Sequence, residues 1–77
     1  MKYAKEVIRY LGSSPGTWYR MIEIVNFAGA PKDMKERNRI RRGVQRVLEQ
    51  LERGGVVESR MPESRGAYGE YRWKSVT

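Results

Sequence analysis

Residues 40–58 constrain this chain more than any other stretch. Ile40, Val44, Val47, Leu48 and Leu51 recur at the spacing of one helical face. Arg39, Arg42, Arg46 and Arg53 take the opposite face, with Arg41 and Gln45 on one flank. Gly54 and Gly55 then stop the helix, and Val56 and Val57 open a strand. An apolar seam this firm must be covered by other elements. A chain of 77 residues has one domain, residues 1–77, in which to do so.

A single core of this size is thin, and a stability of roughly 3–5 kcal/mol is expected. The sequence has no Cys and no His, which removes disulfide staples, Cys/His zinc sites, thiol nucleophiles and the commonest general base. The core must then come from packed helices and aromatics, with Trp18, Phe27, Tyr71 and Trp73 available. The carboxylates show no metal-ligand spacing, Ser13 and Ser14 have no His partner, and residues 66–69 lack the Gly-Lys-Ser/Thr ending of a phosphate loop. The expectation is a protein that is not an enzyme, with no cofactor, no metal and no evident small-molecule effector.

The elements around the seam follow from local signals. Residues 2–11 read as a first helix with Ala4, Val7, Ile8 and Leu11 as its stripe, and Gly12 suits the left-handed residue beyond its end. Thr17 is placed to cap a second helix running to about Ala28, lined by Trp18, Met21, Ile22, Val25 and Ala28 and widened by Ile24 and Phe27. Gly29, Ala30 and Pro31 end it. Asp33 with Glu36 resembles a capping box, so the third helix runs over residues 34–53, unless residues 33–38 form a separate turn. Gly43 inside it costs about 1 kcal/mol relative to Ala, which points to tight packing against a neighbour or, alternatively, to close approach of the backbone to a ligand. Residues 56–61 and 70–75 read as two strands. Tyr71 and Trp73 alternate with Arg72 and Lys74, so both rings are expected to turn inward beneath the hairpin, the alternative being exposed rings on which single-stranded bases stack. Residues 62–69 make a glycine-containing loop between the strands.

Charge adds a second signal. The chain carries a formal +7, and residues 32–46 alone carry seven cations against Asp33 and Glu36, a net +5. Few acids stand where i,i+4 pairing would neutralise these arginines. Such concentration suits a polyanion, because each neutralised phosphate releases condensed counterions. No apolar run approaches the ~18 residues of a membrane span, and no targeting segment is visible, so a cytoplasmic, nucleoid-associated location is expected with no membrane partner.

The order of helix, helix, long basic helix and hairpin resembles the winged helix-turn-helix family. The likeness is sharpest over residues 47–58, where a Leu-Glu pair, a glycine at the helix end, an apolar pair and an acid follow one another. The resemblance implies an α+β fold of three helices followed by a two-stranded β-hairpin wing, with the third helix in the major groove. It implies base-edge contacts from Arg39, Arg41, Arg42, Gln45 and Arg46, since Arg can bond guanine and Gln adenine bidentately. Backbone contacts fall to Lys32, Lys35, Arg37, Arg60, Arg65 and Tyr68. The connection before the arginines is longer than is usual for the family, so Lys32, Lys35 and Arg37 are assigned to phosphates.

The function expected on these grounds is sequence-specific binding of double-stranded DNA by a transcriptional regulator, repressor-like through site occupancy. A protein so small without a sensor domain suits a viral, plasmid or prophage origin. The alternatives are a docking module in a nucleoprotein complex and an RNA or single-strand binder. A homodimer on a palindrome would enlarge the contact, and Tyr3 and Tyr10 on the first helix are its candidate surface.

Overall fold

The computed structural model describes residues 2–60 and 69–74. Three helices, α1 (Ala4–Gly12), α2 (Met21–Gly29) and α3 (Met34–Arg53), combine with a three-stranded antiparallel sheet of β1 (Tyr19–Arg20), β2 (Val57–Arg60) and β3 (Glu70–Trp73), in the spatial order β1-β3-β2. The class is α+β.

α3 is one continuous helix, with no break at Asn38. Its start is fixed by Asp33, whose carboxylate accepts a hydrogen bond from the Glu36 N–H at 2.8 Å, satisfying a donor that the first turn leaves without a partner. Its end follows from Gly54 and Gly55. Gly55 takes φ +76, and the Gly54, Gly55 and Val56 N–H groups close onto the carbonyls of Gln50, Glu52 and Leu51. The chain thereby turns into β2 with these three N–H groups satisfied.

The core is aliphatic. Val7 and Leu11 of α1, Met21, Ile24 and Val25 of α2, Ile40, Val44, Val47 and Leu48 of α3, and Val57 of β2 are buried together. The expected contribution of aromatics is displaced to a rim: Tyr3, Tyr10, Tyr19, Tyr71 and Trp73 are only partly buried against this cluster. Ile8 and Phe27, expected on apolar faces, are exposed at 43% and 47%. Tyr10 stacks on Phe27 with centroids 4.4 Å apart and lies 4.6 Å from Tyr19. Tyr10 thus packs with Phe27 and Tyr19 within the chain, while Tyr3 and Tyr10 each keep part of their surface exposed.

Three local expectations are corrected. Gly12 is helical, not left-handed. α1 ends instead on Ser13, in a right-handed conformation, with the Ser13 and Ser14 N–H groups donating to Arg9 and Leu11 carbonyls. The second helix does not begin at Thr17. Tyr19 and Arg20 pair with Tyr71 and Glu70, and the Gly16 N–H donates to the Trp73 carbonyl, so β3 draws this stretch into the sheet. The helix starts only at Met21, where the Arg20 N–H donates to the Glu23 carboxylate at 3.0 Å. The hairpin is consequently the larger part of a three-stranded sheet, and Trp18 lies outside α2. The remaining two strands fall within their expected spans, shortened to Val57–Arg60 and Glu70–Trp73.

The glycine expected to mark packing does so. A Cβ on Gly43 would stand 2.6 Å from Tyr3 Cδ2 and 2.8 Å from Cε2, so the Tyr3 ring lies against the α3 backbone at that position. Among the described residues, no helix is long and apolar enough to cross a membrane.

Candidate nucleic-acid interface

Burying Ile40, Val44, Val47 and Leu48 fixes the rotation of α3. With 3.6 residues per turn, Glu49 and Arg53 lie opposite that seam near the end of α3, and before them on the same face stand Lys35, Asn38, Arg42, Gln45 and Arg46, with Arg39 at one edge. All of these are exposed. Of the five residues expected at base edges, the fold thus brings Arg39, Arg42, Gln45 and Arg46 onto one uncovered face. Among the described residues, no ion pair involves Lys32, Lys35, Arg37, Arg39, Arg41, Arg42 or Arg46.

Arg41 stands apart from this group. It is half-buried, as is Arg37 one turn earlier, and both line a small recess at the seam between α2 and α3 with Met21, Ile22, Val25 and Met34. Arg41 Nε is buried without a hydrogen-bond partner, so part of its guanidinium is withdrawn from the outer face. Lys32 is exposed in the turn that precedes α3.

The charge of α3 changes along its length. The first half is cationic, whereas Glu49 and Glu52 stand near its end beside Arg53. The Gln45 amide donates to Glu49 at 3.3 Å, and Ser59 Oγ donates to Glu52 at 2.8 Å. An approaching anion is attracted to the first half and repelled by the last turns.

Strand alternation puts Trp18, Arg20, Glu58, Arg60, Glu70 and Arg72 on the sheet face turned away from the core. Arg60 Nε donates to Glu70 at 2.9 Å, and Arg72 Nε donates to Glu58 at 2.7 Å. Both guanidinium groups lie over the Trp18 ring, at 4.1 and 4.7 Å from its centroid. Arg60, expected on a phosphate, is thus held inside a cross-strand network, although half of its side chain remains exposed. Tyr71 faces the other way, toward α3, and burial, with Glu52 and then Glu49 nearby, raises its hydroxyl pKa above the usual 10.0. Burial beside Glu23 and Tyr19 raises that of Tyr10 in the same direction. Arg65 and Tyr68, the other wing residues expected at DNA, lie outside the described residues.

The fold also recruits residues the sequence did not suggest. A concavity of about 530 Å³ opens on the cationic face of α3, lined by Lys2 and Tyr3 from the start of α1 together with Lys35, Arg39, Arg42 and Arg46. Asn38 and Gly43 complete its lining, and no carboxylate contributes. Gly43 in a basic helix was the one sequence signal that another element approaches here.

Comparison with protein-family models, curated proteins and solved structures finds no match to this chain.

Proposed function

We propose that the chain is a winged helix-turn-helix protein that binds double-stranded DNA sequence-specifically and regulates transcription by occupying its site. The observation that carries this reading is the uncovered face of α3 from Lys35 to Arg46, where Lys35, Arg39, Arg42 and Arg46 stand exposed without an acidic partner among the described residues. In this reading α2 and α3 form the helix-turn-helix, α3 enters the major groove, and the β2–β3 hairpin approaches the backbone. The order α1-β1-α2-α3-β2-β3 is compatible with that architecture. Arg39, Arg42, Gln45 and Arg46 meet base edges; Lys32, Lys35 and Arg37 meet phosphates. Arg41, with one nitrogen buried, reaches the duplex at most from the α2 side of the helix. Gln45 can keep one amide N–H on Glu49 while its other N–H and its oxygen meet adenine.

The deciding experiment is titration of a duplex across salt concentration. With about five phosphate contacts, log K falls against log salt with a slope of about −4.5. A protein that binds single strands or RNA in preference to duplex in competition would belong to the third class considered above. The second reading, protein docking, is favoured by Met34, 69% exposed, and Ile22, 41% exposed, which leave apolar surface beside the cationic face. Absence of duplex binding at low salt selects it.

A further inference from the structure

We infer that the start of α1 completes the DNA-binding face, with Lys2, positioned by Tyr3, holding a backbone phosphate of the same duplex that α3 reads. The inference rests on the DNA-binding reading above and extends it to an element outside the helix-turn-helix.

Three observations bring Lys2 to this face. Tyr3 takes φ 71 and ψ −5, a left-handed conformation that L residues seldom adopt, immediately before α1 begins. Its ring is seated against Gly43, which lies one turn from both Arg39 and Arg46. Lys2 Nζ stands 5.5 Å from the centroid of that ring, so the ammonium is kept beside α3.

The result is the concavity in which Lys2 joins Lys35, Arg39, Arg42 and Arg46 with no carboxylate in the lining. An adjoining concavity shares Lys2, Tyr3, Lys35 and Arg39 but includes Asp33 and Glu36, so the carboxylates nearest this face line the neighbouring recess and not the one over Gly43. Cations gathered this closely repel one another and raise the local positive potential. A solvated helix face would disperse them or intersperse acids. Phosphates repeated along a nucleic-acid strand can satisfy several of these groups at once, whereas one small anion cannot. Arginine forks and a lysine point charge both suit phosphate oxygens.

The test is a salt-dependent titration of a short duplex of random sequence with the wild-type chain, Lys2→Met and Lys2→Arg. Lys2 is exposed, so its variants keep the fold, as circular dichroism will show. Loss of one phosphate contact reduces the magnitude of the salt slope by about 0.9, with several-fold weaker binding at low salt. Lys2→Arg restores both. Gly43→Ala, which displaces the Tyr3 ring, gives a similar loss, and adding Lys2→Met to it changes little more. An unchanged slope and affinity for Lys2→Met overturns the role of α1 while leaving DNA binding intact. Failure of the wild-type chain to bind duplex at low salt overturns the DNA reading itself, and this inference with it.

Discussion

Ile40 occupies the space that a side chain on Gly29 would need: a Cβ there would overlap Ile40 Cδ1 and lie 3.0 Å from Cγ1. Gly29 closes α2, and Ile40 is buried in α3, so this contact sets how closely the two helices approach. Gly29→Ala gains about 1 kcal/mol of helix propensity. It also forces overpacking, which costs about 1–3 kcal/mol. The expected outcome is a net loss of up to about 2 kcal/mol in urea unfolding. A stabilised variant would mean that Ile40 moves aside freely.

Arg42 lies opposite the buried seam of α3, and Lys35 flanks it on the same face. Selection of bound sequences from a random pool supplies the preferred duplex. On it, Arg42→Ala is expected to cost about 1–3 kcal/mol and to relax preference at one position, while Lys35→Ala weakens preferred and random duplexes alike. Equal losses on both duplexes for both variants would reject this division of roles.

Arg41 provides a contrast one residue away. Its Nε is buried without a partner, so the folded protein bears a desolvation cost there of about 1–3 kcal/mol. Arg41→Met keeps the aliphatic stem and removes the orphaned nitrogen. Thermal unfolding should show unchanged or raised stability. A marked fall in Tm would show that the guanidinium is satisfied in solution.

Arg60 and Trp18 are coupled through stacking across the sheet. A double-mutant cycle with Arg60→Ala and Trp18→Leu is expected to return about 0.5–1 kcal/mol of interaction energy in unfolding, as for a partly exposed cation–π pair. Because Arg60 is engaged with Trp18 and Glu70, its removal should lower stability more than duplex affinity. Additive effects on stability, joined to a large affinity loss, would return Arg60 to the phosphate role.

Tyr71 makes stability depend on alkaline pH. Burial raises its pKa in the folded state above 10.0, and Glu52 and Glu49 add to the rise. The folded state therefore holds this proton more tightly than the unfolded chain does. The resulting stabilisation is complete below pH 10, the unfolded value, and is lost as pH rises through the folded value. Tyr71→Phe removes the ionisation, so its Tm should fall less than that of the wild type above pH 10. Parallel declines would show that Tyr71 ionises without penalty.

What the sequence determined by itself was local. The 3.6-residue recurrence from Ile40 to Leu51, the Asp33 cap and the Gly54–Gly55 stop specify α3 through groups within a few residues of one another. The same arithmetic separates Arg42 and Arg46 from the core. Other features depended on partners remote in the chain. β1 is two residues long and exists because β3 offers it backbone hydrogen bonds, which outcompeted the helical start that Thr17 suggested. Trp18 left the expected apolar stripe because Arg60 and Arg72 cover its ring. Arg41, on the flank of the apolar face by spacing, was drawn into the α2 seam only because α2 packs beside it. Lys2 reached the cationic face only because Tyr3 lies over Gly43, a contact no periodicity encodes. Short-range hydrogen bonding and periodic burial are written along the chain, whereas strand pairing and the seating of side chains between elements arise only when the whole core closes.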